Sequence, residues 1–354
     1  MLQDCNKEKC HHCFPVKDCS HGHEFCKENG MFKELDKKNC ILVTGCAGFI
    51  GSHVCEKLLQ MDFNVVGVDN MDPYYDIKLK INNIEILQKY KAFTFLHEDI
   101  QTTNAIVDYS PQNVIHLASM AGVRTSIKEP EKYVNVNIKG FINILEQCVK
   151  INITNLVYAS SSSVYGTNKL PFKESDLIES CNSPYAASKR CMEVFAQTYS
   201  QLYNINTLGL RFFTVYGPRG RPDMAPRKFL EAIQNDMEIE KYGDGNTSRD
   251  YTYIDDIVNG IISAMKNKHN KKCEVYNLGN SIPITLNAFI ETCEKVCGKK
   301  ANIIQKSIQL GDVPHTYACI DKAKQDLDYN PQTTLESGLL RCYDINMKFK
   351  NIGP

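Results

Sequence analysis

Short apolar runs alternate along the chain with stretches whose apolar positions recur at helical spacing. The apolar runs predict β-strands at residues 40–44, 64–68, 93–96, 114–117, 155–159 and 207–211. The stretches between them predict helices, most clearly at residues 49–61, 134–151 and 186–203. Strands that alternate with helices in this way are typical of α/β proteins, so the pattern predicts a doubly wound parallel sheet.

The alternation breaks after Tyr216, where loops, helices and short strands follow, and one further strand is expected at 276–278. We therefore expect two units. The first is the sheet domain at 40–216, to which residues 254–280 return. The second is a smaller C-terminal substrate-binding α/β domain, made of 217–253 and 281–354, that closes over the carboxyl edge of the sheet.

Residues 1–39 differ in composition from the rest of the chain and hold five cysteines and four histidines. Cys10 and Cys13 have the spacing of half a zinc knuckle. Cys19 and Cys26, which follow, are too widely spaced to complete it. No firm metal site is therefore predicted: Cys10 and Cys13 are candidate zinc ligands, and a disordered thiol-rich tail is the alternative.

The balance of positive and negative residues argues against nucleic acid and acidic membranes as partners of this protein. Lys and Arg number 41 and Asp and Glu number 41, so no global field would attract nucleic acid or an acidic membrane. No run approaches the roughly 20 apolar residues of a membrane span, and the N-terminus lacks the apolar core of a secretory signal. We expect a cytoplasmic protein whose cysteines beyond residue 39 are free thiols.

A glycine trio follows the first predicted strand, in the segment Gly45-Cys-Ala-Gly48-Phe-Ile-Gly51. Gly45 permits a tight turn, Gly48 lets a pyrophosphate approach the backbone, and Gly51 lets the helix pack against the strand. The N-terminus of that helix offers free N–H groups to the phosphates. Because this spacing differs from Gly-x-Gly-x-x-Gly, it indicates the short-chain dehydrogenase type of Rossmann domain.

Acidic residues near strand ends extend the predicted cofactor site. Asp69 can accept hydrogen bonds from an adenosine ribose and would repel a 2′-phosphate, which favours NAD over NADP. Asp99 and Ile100 would line the adenine, although an ordinary strand-end aspartate is the alternative. The predicted cofactor-binding residues are Gly45, Gly48, Phe49, Ile50, Gly51, Asp69, Asn70, Asp99, Ile100, Leu117, Ala118, Tyr185 and Lys189.

Tyr185 and Lys189 are four residues apart on a predicted helix and so share one face. The pKa of a free tyrosine is about 10, and a nearby ammonium together with a nicotinamide ring would lower it. The phenol would then serve as an acid/base catalyst. The serine run at 160–163 ends the fifth strand, on the edge where such sheets bind ligands. Taken alone, the Tyr/Lys pair also fits a surface helix.

The sequence from residue 40 to about residue 345 resembles the extended short-chain dehydrogenase/reductase family of NAD-dependent sugar-nucleotide epimerases and dehydratases. The motifs that carry the resemblance are TGCAGFIGSH, VDN, HLASMAGVR, YASSSSVYG, SPYAASK, LRFFTVYGPRGRPDMAP, RDYTYIDDI, YNLGN and GDVPHTYA. The resemblance implies a UDP-sugar substrate, a retained NAD and the catalytic set Ser161, Tyr185 and Lys189. It also implies a homodimer formed through the helices at 134–151 and 186–203.

Ser162 and Ser163 narrow the branch of the family. Dehydratases carry Asp and Glu at these positions, and the decarboxylases that make UDP-xylose carry Glu at the second, so a plain 4-epimerase remains. The segment TVYGPRGRPDMA is most similar to UDP-glucuronate 4-epimerases, where Arg219 is usually Trp. We expect conversion of UDP-glucuronate to UDP-galacturonate. Alternatives are a UDP-glucose or UDP-N-acetylglucosamine 4-epimerase, a 4,6-dehydratase and, in another class, an inactive NAD-binding sensor.

Six residues are the predicted contacts of the sugar nucleotide. Thr214, Ser162 and Ser163 would hold the sugar carboxylate. Arg221 is a further predicted substrate-binding residue, with no part of the substrate assigned to it. Arg249 would bind the diphosphate, because arginine suits forked contacts with anions, although a surface ion pair is the alternative. The resemblance implies that Asp312 contacts the nucleotide ribose.

Overall fold

The computed structural model describes residues 39–267, 273–307 and 313–351, with side chains as far as Asp344. The candidate zinc ligands Cys10 and Cys13 and the predicted ribose contact Asp312 lie outside the described residues. Among the helices that are described, none combines the length and the apolar character needed to cross a bilayer.

Twelve strands are found in the described residues, and seven of them form one parallel sheet. The strands are β1 (Cys40–Thr44), β2 (Asn64–Asp69), β3 (Phe93–His97), β4 (Asn113–His116), β5 (Asn155–Ser161), β6 (Asn206–Phe212), β7 (Thr214–Tyr216), β8 (Glu238–Tyr242), β9 (Ser248–Tyr253), β10 (Cys273–Leu278), β11 (Pro283–Thr285) and β12 (Asn302–Lys306). The large sheet has the order β3-β2-β1-β4-β5-β6-β10, and every pair in it is parallel. The predicted Rossmann-type, doubly wound sheet is confirmed.

Helices cover both faces of this sheet, and further helices pack against the smaller sheets of the later chain. They are α1 (Phe49–Gln60), α2 (Ile77–Gln88), α3 (Ala105–Tyr109), α4 (Val123–Lys128), α5 (Pro130–Tyr133), α6 (Gly140–Lys150), α7 (Pro184–Tyr203), α8 (Ala225–Gln234), α9 (Ile254–Lys266), α10 (Leu286–Cys297), α11 (Asp321–Leu327) and α12 (Leu335–Asn351). Ile41 and Val43 of β1 join the core cluster that includes α1 and α9, whereas Cys40 and Leu42 join the cluster that includes α6 and α7. Burial on both faces explains why the strands read as nearly continuous apolar runs.

The predicted helix at 134–151 differs from the observed one at its start. Helical structure begins at Pro130, and a π-helical segment (Val134–Lys139) joins α5 to α6. A π-segment carries an extra residue in its turn, a feature found often at functional sites. It changes the helical phase ahead of α6 and places the polar Asn137 in the interior.

The later part of the chain forms smaller sheets beside the large one. Strand β9 pairs with β7 in parallel and with β11 in antiparallel orientation, and β8 pairs with β12. Strand β10 returns to the large sheet beside β6, as the sequence predicts. Strand β7 belongs to the smaller sheet, although the predicted boundary at 216 places it in the first unit. The division into two domains stays a prediction.

Candidate active site

The glycine segment lies where the strand order of the large sheet reverses. Strands β2 and β3 follow on one side of β1, and β4, β5 and β6 follow on the other, so the carboxyl ends of β1 and β4 flank a crevice. Gly45 follows β1 with φ +73°, and a Cβ there would lie 2.7 Å from the backbone nitrogen of Ala118, just after β4. A side chain at position 45 would therefore clash with the neighbouring strand end.

The remaining glycines shape a backbone cradle at the N-terminus of α1. A Cβ on Gly51 would lie 2.0 Å from the carbonyl oxygen of Gly45, so only glycine lets helix and turn approach this closely. Gly48 has ordinary backbone angles and lines a cavity of about 300 Å³. The free N–H groups of a helix N-terminus suit a phosphate. The cradle fits the pyrophosphate of a dinucleotide, for which the sequence predicts these glycines.

Asp69 ends β2 beside the glycine segment and is buried. Its carboxylate accepts hydrogen bonds from the backbone nitrogens of Ala47, at 3.1 Å, and Met71, at 2.8 Å. Lys80 of α2 donates to the same group at 3.2 Å, also within the buried region. Asp69 thus holds the glycine segment to the β2–α2 loop, and it also lines the cavity in which its predicted ribose contact would form.

Most of the other predicted cofactor residues line the same cavity. They are Phe49, Ile50, Asn70, Ile100, Leu117 and Ala118. Asp99 lies behind Asn70: one carboxylate oxygen accepts from the Asn70 side-chain nitrogen at 2.9 Å, and the other accepts from Gln101. Asp99 is therefore placed to orient Asn70, and its predicted contact with adenine stays a prediction.

Helix α7 carries the predicted acid/base pair into the cavity. Ser183 caps the helix by accepting from the backbone nitrogen of Ala186, and Pro184 occupies the first helical position, where it fits best. Tyr185 and Lys189 follow on one face, and both line the cavity together with Ser161 at the end of β5. The structure therefore brings the three predicted catalytic residues together.

Three groups of effects from the protein act on the pKa of Tyr185. Burial raises this pKa above its ordinary value of 10, while a hydrogen bond with the Ser161 hydroxyl and the charge of Arg221 lower it. The sequence analysis expects a nearby ammonium and a nicotinamide ring to lower this pKa. Among the protein groups, Ser161 and Arg221 rather than Lys189 act to lower it, and burial has the larger, opposite effect. A nicotinamide ring beside the phenol would add a positive charge that lowers this pKa.

Lys189 is buried, with 2% of its surface exposed. Its ammonium donates a 2.8 Å hydrogen bond to the carbonyl oxygen of Ala159. Burial lowers its pKa to about 7, and the carboxylate of Glu193 acts in the opposite direction. Further hydrogen-bond acceptors beside this lysine, such as ribose hydroxyls, would favour its charged form and raise its pKa.

A buried ion pair, which the sequence analysis did not predict, joins helix α7 to the neighbouring strand β6. Arg211 of β6 donates to both carboxylate oxygens of Glu193 at 2.8 Å, and each side chain is 2% exposed. Ser160 donates to the same carboxylate at 2.6 Å. Ser160 neighbours the predicted catalytic residue Ser161, and Glu193 lies one helical turn after Lys189. The network therefore fixes strand β5 and helix α7 relative to one another.

Arg221 projects into the cavity from the loop after β7. Its guanidinium forms a forked pair with Asp223, at 3.0 and 2.5 Å, and lies over the ring of Tyr74, 5.1 Å from the centroid. Tyr74 also exchanges a hydrogen bond with Thr125 at 3.1 Å. Tyr74 and its neighbour Tyr75 line the cavity and were absent from the sequence prediction, although two adjacent aromatics after a strand end were a usable signal.

The other predicted substrate residues lie around this cavity rather than among its lining residues. Ser162 and Ser163 begin a 3₁₀ turn (Ser162–Tyr165), which Ser161 caps by accepting from the Ser163 nitrogen. Thr214 opens β7. Arg249 donates to the carbonyl oxygens of Ser248 and Pro314, at 2.9 and 3.2 Å. Their contacts with substrate stay predictions.

Asn137 is a further buried group that sequence reasoning did not find. It pairs with the backbone of Met120 through both its oxygen, at 2.7 Å, and its nitrogen, at 3.0 Å, and donates to Ser188 at 2.9 Å. The π-helical segment thereby connects the loop after β4 to helix α7. The sequence gives no distinct signal for this role, because Asn137 is one of several polar residues in the helical segment at 134–150.

The sheet, the cradle and the tyrosine–lysine pair agree with a known family. The model of the NAD dependent epimerase/dehydratase family matches residues 41–279. The chain belongs to this family. Its cofactor is NAD, as predicted, and the glycine cradle and Asp69 are where this chain would hold it.

Other family members resemble the chain over nearly their whole length. Protein CapI of Staphylococcus aureus is 44% identical over 330 residues, which cover 87% of this chain and 98% of that protein. The UDP-glucuronate 4-epimerase of Thermodesulfobacterium geofontis is 42% identical over 316 residues, covering 88% and 96%. A crystal structure of the Bacillus cereus UDP-glucuronic acid 4-epimerase with UDP-glucuronic acid and NAD superposes with a TM-score of 0.84 at 37% identity, covering 88% and 99%.

Proposed function

We propose that this protein converts UDP-glucuronate to UDP-galacturonate by NAD-dependent epimerisation at C4. The observation that carries the proposal is the convergence of Ser161, Tyr185 and Lys189 with the glycine cradle in one cavity. The similarity to UDP-glucuronate 4-epimerases over most of the chain supports the choice of substrate.

Tyr185 is the group that moves the proton. Its phenolate oxygen would take the proton of the sugar 4-hydroxyl and later return it, so the residue acts first as base and then as acid. Ser161, which already bonds Tyr185, would donate its hydroxyl to the same sugar oxygen. Bound NAD supplies a hydride acceptor that later returns the hydride, together with a positive ring that favours the phenolate.

Inversion requires the 4-keto sugar to turn and present its other face before hydride returns. For a uronic acid this intermediate is a β-keto acid that loses carbon dioxide readily, so the site must hold the carboxylate without assisting its departure. Arg221 offers a planar, forked donor in the cavity. Thr214, Ser162 and Ser163 offer neutral hydroxyls nearby, with which we propose it shares the carboxylate.

The residues at 162 and 163 argue against elimination of water. Both are serines in a 3₁₀ turn beside Ser161, and a hydroxyl is too weak an acid to replace the carboxyl pair of a 4,6-dehydratase. The retained Tyr185 and Lys189 argue against an inactive NAD-binding sensor. A neutral hexose remains the alternative substrate, because Arg221 can also donate to hydroxyl groups.

We further propose a homodimer built on helix α7 and the helical segment that begins at Pro130. Val134 and Val194 are about half exposed, and Leu202 is 67% exposed. Exposed apolar side chains on two neighbouring helices would be covered by the same helices of a second copy. Leu202→Glu should yield a monomer by light scattering, and a wild-type monomer would contradict the proposal.

A substrate panel tests the proposed function. Purified enzyme without added NAD is followed by NMR with UDP-glucuronate, UDP-glucose or UDP-N-acetylglucosamine. Appearance of UDP-galacturonate, with slower conversion of the neutral sugars, is the expected result. Turnover of a neutral sugar alone would refute the uronate assignment, and a 4-keto-6-deoxy product would show a dehydratase.

A further inference from the structure

The loop that carries Arg221 begins with a tight turn. The nitrogen of Gly220 donates to the carbonyl oxygen of Gly217 at 3.1 Å, which closes a β-turn over four residues. Pro218 occupies its second position, and Arg219, with φ +63°, occupies its third. A positive φ at the third position belongs to the turn type in which glycine or asparagine is usual. An arginine in this strained position calls for compensating contacts.

Those contacts reach across to the cofactor-binding helix. The Arg219 Nη2 lies 2.6 Å from the Glu56 carboxylate, and its Nε lies 3.3 Å from the His53 Nε2. Both partners belong to α1. The Arg219 side chain is 17% exposed and that of Glu56 is 27% exposed, so the pair is mostly withdrawn from water. Withdrawal from water strengthens the attraction between the charges.

His53 extends this link to the cofactor cradle. Its Nδ1 lies 2.9 Å from the carbonyl oxygen of Phe49, which can only accept, so this nitrogen carries the proton. The Nε2 is then free to accept from Arg219. Burial and the Arg219 charge lower the pKa of His53 to about 3, which keeps the ring neutral. Phe49 is the first residue of α1 and lines the cofactor cavity.

We propose that Arg219 is a positioning residue that clamps the substrate loop to the NAD-binding helix and so sets the place of Arg221. Arg219 anchors one end of the loop on α1 through Glu56 and His53, and Arg221, two residues later, reaches the cavity. Occupation of the cofactor cradle and order in the substrate loop thereby support one another. The inference rests on the proposed function only in assigning Arg221 to the sugar nucleotide.

Two single variants distinguish the effect of the Arg219–Glu56 contact from the effect of the backbone turn at Arg219. Arg219→Gly removes the guanidinium while relieving the backbone, and Glu56→Gln removes the charge from α1 without touching the loop. Each should raise the Michaelis constant for UDP-glucuronate three- to tenfold, with kcat within twofold of wild type. Each should also shorten the half-time for release of NAD from the substrate-free holoenzyme. The double variant should be no worse than Arg219→Gly alone, because the ion pair with Glu56 is already lost in that variant.

Lys228→Ala is the matched control, because it removes an exposed ion pair with Glu240 from the neighbouring helix α8. It should change neither the Michaelis constant nor the half-time for NAD release. An unaltered Michaelis constant and NAD release in both test variants would overturn the proposal. So would an effect of Arg219→Gly without one of Glu56→Gln, since the turn alone would then place the loop. Absence of wild-type turnover with any UDP-sugar refutes the proposed function instead, and NAD release still tests the clamp.

Discussion

The ammonium of Lys189 lies 2.8 Å from the carbonyl oxygen of Ala159, in the interior of the protein. Burial lowers the pKa of this lysine from an ordinary value of 10.5 to about 7. Between these two pH values the unfolded chain binds the proton and the folded chain does not. The free energy of unfolding therefore rises with pH across this window, and the full cost of burying the charge is felt below pH 7.

Replacing Lys189 by methionine should remove both activity and this pH dependence. Cofactor-free Lys189→Met should be more stable than cofactor-free wild type at pH 7, and the advantage should shrink as the pH approaches 10. The measurement is denaturant unfolding of both proteins across pH 7–10. A constant difference between them would contradict the lowered pKa. Wild type that holds NAD should show a smaller difference, because ribose hydroxyls would satisfy the ammonium.

Tyr185→Phe should lower kcat by about 10²–10⁴, because the variant lacks the group that exchanges the proton. Bound NAD should be retained, since the ring still fills its place. Tyr203→Phe removes a hydroxyl from the other end of the same helix, at a half-exposed position, and should leave kcat unchanged. A Tyr185→Phe enzyme with near wild-type turnover would refute the acid/base assignment.

Substitution by alanine should have different effects at two glycines of the cradle, Gly51 and Gly48. A methyl group at position 51 would lie 2.0 Å from the Gly45 oxygen, so Gly51→Ala should destabilise the fold by about 1–3 kcal/mol through overpacking. At position 48 the nearest atom would be 3.2 Å away, and the backbone angles suit any residue. Gly48→Ala should unfold near the wild-type temperature yet copurify with much less NAD. Undiminished NAD in Gly48→Ala would contradict the placement of the pyrophosphate.

Arg211→Met should destabilise the protein by about 3–5 kcal/mol, because it removes the buried cation and leaves the Glu193 carboxylate paired only with the partly exposed Arg190. The double variant with Glu193→Met should recover part of that loss in thermal unfolding. A loss in the double variant equal to the sum of the two single losses would show that the two residues act independently. Lys295, whose ion pair with Glu336 is exposed, provides the control: Lys295→Met should change stability by less than about 1 kcal/mol.

Local sequence patterns account for the part of the site that local structure builds. Gly45 and Gly51 are required by a turn that spans seven residues, and Tyr185 and Lys189 share a face because they lie one helical turn apart. The parallel sheet follows from apolar runs alternating with helices. Each of these features is specified by residues close together in the chain.

Other parts of the site depend on contacts between distant segments. Arg211 and Glu193 are charged residues that a periodicity argument assigns to the surface, yet they neutralise each other in the interior. The π-helical turn at Asn137 changes the helical phase, which no fixed repeat can anticipate. The contact of Arg219 with Glu56 joins residues that are far apart in the sequence, and only the folded chain reveals it.

The most direct test of the central claim follows the hydrogen at C4. UDP-glucuronate deuterated at C4 is incubated with the enzyme in ordinary water, and the UDP-galacturonate is examined by NMR and mass spectrometry. Reversible hydride transfer within one closed site predicts that the product keeps the deuterium at C4. Product that carries solvent hydrogen at C4 would contradict the account.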